Sequence, residues 1–227
     1  VVIPSGVRCI SDFLFHGCDN LREITLPDGV TEIGRDAFSA CAKLESIRLP
    51  EGLEKIGEAA LNGCSTLTEI TLPRSLSTLG DNAFGRCAAI GEIRVAEGNA
   101  FLYTRDGVLF SLADRRLLYY PMSSLCETYA VPEGTESIGA GAFAQCGQLR
   151  TVLLPDSLTS VGAGAFSACR SLEDIALPEG IVSIERDTFC DCASLETVRL
   201  PASLERIGAY AFSGCAALRA IELPLGV

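Results

Sequence analysis

Apolar residues recur along this chain in a pattern that repeats every 23 positions. In the second copy the apolar positions are Leu26, Val30, Ile33, Ala37, Phe38, Cys41, Leu44 and Ile47. A fixed period of this length indicates a solenoid, in which successive copies stack and share one continuous core. Regular copies begin at Ile3, Leu26, Leu49, Leu72, Val131, Leu154, Leu177 and Leu200, and a ninth begins at Leu223 and is cut off at Val227.

Two short strands and a turn are predicted within each copy. The stretch 44–49 alternates between apolar and polar residues, as a half-buried strand does, and Pro50 ends it. A second extended piece covers 30–33, and Gly34 is expected to turn the corner after it. The Ala-Phe-x-x-Cys stretch at 37–41 indicates a tight helical or 3₁₀ turn. The predicted fold class is therefore α/β but β-rich, a solenoid of short parallel strands.

The segment 95–130 interrupts the 23-residue period and forms one enlarged, irregular copy. Within 101–110, two β-prone runs flank Asp106-Gly107, which is a strong signal for a β-hairpin. The run 117–121 is a candidate for a third strand. Because regular copies resume afterwards, 1–227 is predicted to be a single leucine-rich domain with a hairpin insertion near its middle.

Four of the five tyrosines lie in the irregular copy: Tyr103, Tyr119, Tyr120 and Tyr129. Tyrosine is favoured at binding hot spots, and insertions in repeat arrays often mark a binding face. Tyr103, Tyr119 and Tyr120 are therefore candidate contact residues. The alternative is that these aromatic side chains pack on the solenoid and only enlarge its core.

Strand positions on either side of the repeated inward isoleucine are predicted to point out of the sheet. Among them, Arg48, Glu69, Glu92 and Arg94 form a candidate binding surface, since solenoids commonly bind through such repeated faces. Mixed charges are also what any solvated sheet carries. On that alternative, the same residues form only weak cross-strand ion pairs.

Eight of the eleven cysteines occupy one position of the repeat: Cys18, Cys41, Cys64, Cys87, Cys146, Cys169, Cys192 and Cys215. A small buried apolar residue is the favoured interpretation. Neighbouring copies hold equivalent Cβ atoms roughly 4.8 Å apart with parallel vectors, whereas a disulfide needs about 3.8 Å. Cys9, Cys126 and Cys190 lie outside this ladder. Disulfide pairing stays open for them, and the single C-x-C of Cys190 and Cys192 is weak evidence for zinc.

Charge and motifs narrow the possible functions. The formal net charge is −11 and Arg115-Arg116 is the only adjacent basic pair, so nucleic acid is not expected as a partner. No apolar run approaches about 18 residues, so no membrane insertion is expected.

His16 is the only histidine and no phosphate-binding or metalloprotease motif occurs, so the chain is predicted to be non-catalytic, without metal or cofactor. A carbohydrate-active enzyme using two carboxylates is a remote alternative.

The consensus Leu-Pro-x-x-Leu-x-x-Ile-Gly-x-x-Ala-Phe-x-x-Cys-x-x-Leu-x-x-Ile resembles the BspA-like class of leucine-rich repeats over nearly the whole chain. Leu61 departs from it, because the consensus has phenylalanine there. The resemblance implies a curved right-handed superhelix, usually part of a larger bacterial cell-surface or secreted protein. It also implies adhesion to host matrix proteins or to other cells, and no shared catalytic site.

Two functions are weighed on this basis besides the remote enzyme. The leading one is an extracellular or cell-surface adhesion module that recognises a protein or glycan surface on a host or neighbouring cell. The alternative is a structural spacer within a larger surface protein, which would show no saturable binding. Because the terminal copies lack polar caps, end-to-end self-association through unpaired strand groups is also expected.

Overall fold

The structure, a computed structural model, describes residues 2–226, and within them it consists of strands and turns without a helix. The chain divides into two compact units. Unit 1 comprises Val1–Ala113 and Pro121–Ser123, and unit 2 comprises Asp114–Tyr120 and Ser124–Val227. Each unit is a parallel β-solenoid. The predicted solenoid of short parallel strands is confirmed, whereas the helical part of the predicted α/β class is wrong.

Unit 1 is built from two columns of strands. Column A contains β1 (Cys9–Ile10), β3 (Glu32–Ile33), β5 (Lys55–Ile56) and β7 (Thr78–Leu79). Column B contains β2 (Glu23–Thr25), β4 (Ser46–Arg48), β6 (Glu69–Leu72) and β8 (Glu92–Val95). In the irregular copy, β9 (Leu102–Arg105) pairs antiparallel with β10 (Val108–Ser111) across the Asp106-Gly107 turn. Each regular copy of unit 1 thus contributes one strand to each column.

Unit 2 shows the same alternation. Its column A contains β11 (Arg116–Tyr119), β13 (Ser137–Ile138), β15 (Ser160–Val161), β17 (Ser183–Ile184) and β19 (Arg206–Ile207). Its column B contains β12 (Thr128–Ala130), β14 (Thr151–Leu153), β16 (Asp174–Ala176) and β18 (Thr197–Arg199). The run 117–121, a candidate third strand, is therefore a strand of column A over most of its length.

Equivalent residues of neighbouring copies face each other across each ladder. In column A, Ile10 pairs with Ile33, and in column B, Ile24 pairs with Ile47. These isoleucines are buried, whereas their strand neighbours in column B are exposed. Because successive side chains point to opposite faces of a strand, each copy gives column B one inward apolar residue between two outward polar ones.

The turn that leads from column A to column B contains two residues with left-handed backbone angles. In the second copy these are Asp36, with φ of 51°, and Ala40, with φ of 59°. The same two positions are left-handed in the other regular copies: Phe13 and Gly17, Ala59 and Gly63, Asn82 and Arg86, Gly141 and Gln145, Gly164 and Ala168, Asp187 and Asp191, Tyr210 and Gly214. A right-handed α or 3₁₀ helix needs negative φ throughout. The predicted helical turn at 37–41 is therefore wrong.

Backbone hydrogen bonds between these turns all run in one direction. The N–H of Phe15 donates to the carbonyl oxygen of Ala37 in the next copy at 2.8 Å. The left-handed residues on either side, Phe13 and Gly17, donate to the next copy in the same way, at 2.9 and 2.8 Å. The same three bonds recur between later copies within each unit. Each turn therefore donates to the copy that follows it.

Aromatic rings stack beneath the turns of each unit. In unit 2, the rings of Phe143 and Phe166 are parallel with centroids 5.0 Å apart. In unit 1, Phe15 stacks on Phe38 at 5.2 Å. Leu61, which departs from the consensus, is fully buried at the same position. The ladder therefore requires a large apolar side chain there, but not an aromatic one.

The side chains of the cysteine ladder pack in the apolar core, and they also donate hydrogen bonds. The Sγ of Cys169 donates to the carbonyl oxygen of Phe143 at 2.9 Å, and that of Cys64 to Phe38 at 3.3 Å. The same bond, at 3.0–3.9 Å, is made by Cys41, Cys87, Cys146, Cys192 and Cys215. All eleven cysteines are free thiols. The central ladder cysteines are buried, as the favoured interpretation predicted.

Gly34 lies between β3 and the turn that follows it, but a left-handed backbone angle is not the reason for glycine there. Its φ is not in the left-handed region that only glycine adopts easily. Instead, a Cβ at Gly34 would lie 2.3 Å from the Oδ1 of Asp12 and 2.7 Å from the Asp12 backbone nitrogen. Such distances are far inside van der Waals contact. Glycine is required because the backbone of the preceding copy passes so close.

Candidate functional site

Four of the predicted contact residues share the exposed side of column B in unit 1. Arg48 lies on β4, Glu69 on β6, and Glu92 and Arg94 on β8. Their inward-facing strand neighbours are buried, so the pleat of each strand turns these side chains to solvent. We call these four residues face 1. The fold presents all of face 1 on rigid strands.

Arg94 links two carboxylates of face 1. Its Nη2 lies 2.6 Å from an oxygen of Glu92, and its Nη1 lies 3.3 Å from an oxygen of Glu69 on the neighbouring strand. The hydrogen bond from Arg94 lowers the pKa of Glu92, and the same bond raises the pKa of Arg94. All three side chains are more than half exposed, so these ion pairs contribute little to the stability of the fold. Their effect is to hold Arg94 in one orientation.

Arg48 stands apart from this network. Within residues 2–226 its guanidinium forms no ion pair, and it lines a groove of about 300 Å³ together with Ser46, Glu51, Glu69 and Thr71. In the described chain no backbone hydrogen bond joins β4 to β6 at this groove. The groove therefore offers a cationic donor, carboxylates and hydroxyl groups. It also offers two strand edges whose backbone groups do not hydrogen-bond to each other.

Two of the predicted contact tyrosines are buried. Tyr119 and Tyr120 keep only 5% and 2% of their surface exposed. The Tyr120 ring stacks on Phe143 with centroids 5.1 Å apart, and its hydroxyl lies 2.9 Å from the Oγ of Ser124. Burial raises the pKa of Tyr120. The prediction that Tyr119 and Tyr120 contact a partner is therefore wrong, because both belong to the core of the enlarged copy.

Tyr103 does reach the surface, with 36% of its area exposed and its ring stacked on Phe110 at 5.1 Å. Two further exposed residues of the irregular copy, Phe101 and Leu112, were not predicted from the sequence. A hydrogen bond joins them, because the N–H of Leu112 donates to the carbonyl oxygen of Phe101 at 2.8 Å. The available signal was the spacing of Phe101 and Tyr103, since residues two apart in a strand share a face. We call Phe101, Tyr103 and Leu112 the hairpin patch.

Neither a metal-binding cluster nor a membrane-spanning helix occurs in the part of the chain that the structure describes. Cys190 and Cys192 are free thiols. His16 packs edge-on against Phe13, with ring centroids 6.0 Å apart. Burial raises the pKa of Cys87 to about 12, which is the opposite of what a nucleophilic thiol needs.

The fold and its exposed strand faces define a repeat protein of the β-solenoid class. The BspA type leucine rich repeat region matches the chain as six copies over residues 1–105 and 119–227. The chain belongs to the BspA type leucine-rich-repeat family. Proteins of this family are typically not enzymes, and membership supports a protein-binding repeat module. No functionally curated protein matches the chain.

Solved structures of several bacterial proteins are similar to this chain. A leucine rich cell surface protein from Faecalibacterium prausnitzii A2-165 is 32% identical with a TM-score of 0.78, and the pneumococcal vaccine antigen PcpA is 33% identical with a TM-score of 0.87. Each similarity covers 93% of this chain, which spans 62% of the first protein's chain and 53% of the second's. A leucine-rich repeat protein from Eubacterium ventriosum ATCC 27560, 23% identical, shares the fold with a TM-score of 0.61, over 99% of this chain and 78% of its own.

Proposed function

We propose that this chain is the non-catalytic binding module of an extracellular bacterial adhesin, and that face 1 contacts a protein on a host or neighbouring cell. The observation that carries the proposal is the exposure of Arg48, Glu69, Glu92 and Arg94 on strands whose inward side chains are buried. Strands hold contact groups in place more firmly than loops do. Binding at this surface therefore requires little ordering of the backbone.

The chemistry of face 1 suits a protein partner. Arginine is enriched at interface hot spots, and a charged pattern of both signs gives specificity through complementary charges on the partner. Arg94 is already oriented by Glu69 and Glu92, so its free N–H groups point in a defined direction. The similar proteins include a cell surface protein and a vaccine antigen, which supports an extracellular location for this chain.

The binding test uses the whole chain, immobilised and exposed to a panel of host matrix proteins. We expect a saturable signal from at least one protein, weakened about fivefold or more by Arg94→Ala or Arg48→Ala. Arg35→Ala is the control, because Arg35 is about as exposed as Arg94 and also pairs with two carboxylates, but it follows the column A strand β3 and is not part of face 1. Circular dichroism must show that all variants are folded.

The spacer alternative makes the opposite prediction. If the folded chain binds none of the matrix proteins at any concentration, the adhesion proposal is wrong and the chain acts as a spacer. Tyr103→Ala separates the two candidate surfaces. A loss of binding with Tyr103→Ala, but not with either arginine variant, moves the contact from face 1 to the hairpin patch.

The extracellular location needs its own test. Intact cells that produce the natural protein are treated with a protease, and the repeat region is followed with an antibody against this chain. Loss of the repeat region while a cytoplasmic marker protein survives supports the proposal. Full protection of the repeat region contradicts it.

A further inference from the structure

Two grooves occupy the same position of the repeat, one in each unit. The groove in unit 1 lies between β4 and β6 beside Arg48. The groove in unit 2 lies between β18 and the segment 220–224 beside Arg199, and has a volume of about 590 Å³. Equivalent lining residues of the two grooves include Ser46 and Thr197, Arg48 and Arg199, Glu51 and Ala202, Glu69 and Ala220, Thr71 and Glu222, and Pro73 and Pro224.

The strand ladder is interrupted at both grooves. Column B pairs regularly beside them, between β2 and β4, between β6 and β8, and between β16 and β18. Among residues 2–226, however, no backbone hydrogen bond joins β4 to β6 or β18 to 220–224. Each groove is therefore lined by strand edges that can hydrogen-bond to a ligand.

Both grooves combine one arginine with two carboxylates, although the carboxylates lie at different positions of the repeat. In unit 1, Arg48 shares its groove with Glu51 and Glu69. In unit 2, Arg199 shares its groove with Glu179 and Glu222. Neither arginine forms an ion pair within the described chain. Glu69 is already paired with Arg94, so each groove offers one guanidinium without an ion pair beside carboxylate acceptors.

This arrangement restricts the chemistry of a ligand. Ionised phosphate, sulfate and carboxylate groups mainly accept hydrogen bonds, so they would leave the groove carboxylates without a donor. A lysine ammonium only donates hydrogen bonds, so it would leave the guanidinium and the strand N–H groups without an acceptor. A hydroxyl group both donates and accepts, and it satisfies carboxylates, guanidinium and backbone together. Neutral ligands with several hydroxyls fit both grooves best.

We infer that the two grooves are equivalent sites for neutral, hydroxyl-rich sugar units of a glycan. Their volumes of about 300 and 590 Å³ fall in the range of small-ligand pockets or at its lower limit. Arg48 and Arg199 donate to sugar hydroxyls, and the neighbouring carboxylates accept from them. The inference deepens the proposed adhesion function and rests on it for the biological role, although Arg199 lies outside face 1.

The test is a calorimetric titration of the whole chain with free neutral hexoses and N-acetylhexosamines. We expect saturable binding of one of these sugars with two sites per chain. Arg48→Ala and Arg199→Ala should each leave one site, and the double variant should lose at least tenfold in affinity. Arg22→Ala and Arg150→Ala are matched controls, because these two arginines are equivalent to each other, lie one position before column B strands and pair with Glu45 and Glu173. Both controls should keep two sites.

Several outcomes overturn the inference. It fails if the folded double variant binds the sugar unchanged, if only one site is found, or if only anionic sugars bind. Matrix-protein binding without neutral-sugar binding also overturns it and leaves the proposed function intact. Sugar binding at two sites without matrix-protein binding supports the inference and removes the protein contact proposed for face 1.

Discussion

Gly80 lies so close to Glu58 of the preceding copy that a Cβ on Gly80 would be 2.3 Å from the Glu58 backbone nitrogen. Alanine there must force the two copies apart. We expect Gly80→Ala to lower the free energy of unfolding by about 2–3 kcal/mol, measured by urea denaturation. Gly91→Ala is the matched control, since no atom lies within 4 Å of a Cβ at that position. Equal effects of the two substitutions would contradict close approach as the reason for glycine.

The left-handed turn residues offer a way to stabilise the chain. Ala59 has a φ of 52°, which costs an L-residue about 1 kcal/mol or more. Ala59→Gly removes this strain, and we expect a higher melting temperature by differential scanning calorimetry. Ala42→Gly is the control, because Ala42 is not left-handed, and there glycine only adds unfolded-state entropy. A lower melting temperature for both variants would show that the turn strain is negligible.

Thiol reactivity should separate the cysteines into two groups. Cys126 is exposed, whereas Cys64, Cys87 and Cys146 are buried and burial raises their pKa. Iodoacetamide at neutral pH should therefore label Cys126 quickly and the buried ladder only after unfolding. Peptide mass spectrometry after timed labelling gives the rates. Ladder labelling as fast as that of Cys126 would contradict the buried ladder.

Buried thiols also predict a loss of stability at alkaline pH. The Cys87 thiol has its pKa raised from 9.0 to about 12, mainly by burial, so it stays protonated in the folded chain while the unfolded chain releases its proton. Its contribution is complete below pH 9 and is lost as the pH rises towards about 12. The free energy of unfolding should fall by up to about 1.4 kcal/mol per pH unit for such a thiol. Urea denaturation across this pH range should show a shallower fall for Cys87→Ala, and an unchanged slope would contradict this assignment.

The first copy exposes side chains that later copies bury. Phe15, Cys18 and Leu21 are half-buried beside a hollow of about 860 Å³, whereas the equivalent Phe38, Cys41 and Leu44 are fully buried. We expect the chain to self-associate with rising concentration in light-scattering measurements, and Phe15→Glu to suppress this association. Leu125→Glu, at an exposed leucine elsewhere, serves as the control. A monodisperse monomer at high concentration would contradict the prediction.

The period of the solenoid could be predicted because buried positions leave a regular trace in the sequence. Ile24 and Ile47 face each other in the ladder, and their 23-residue separation is visible without a structure. Side-chain direction followed from the same alternation, so the exposure of Arg48 and Arg94 was also predictable. These features depend only on which residues are buried in the core and which face water.

The turn geometry and the grooves could not be predicted in this way. Phe13, Asp36, Ala59 and Asn82 share one left-handed position although only Asn and Asp favour such angles, so residue type gives no signal there. Contacts with the next copy impose the angle. The sequence likewise does not reveal where the ladder between β4 and β6 is interrupted, because the local pattern there is the ordinary consensus.

The one-way hydrogen bonds of the turns give the chain a polarity. Within each unit, every regular turn that has a regular neighbour on both sides accepts from the copy before it and donates to the copy after it. Reversing one copy would bring donors against donors and acceptors against acceptors. Neighbouring copies are therefore related by a step along the stack and not by a two-fold axis, so a further copy can join a unit only in the same orientation.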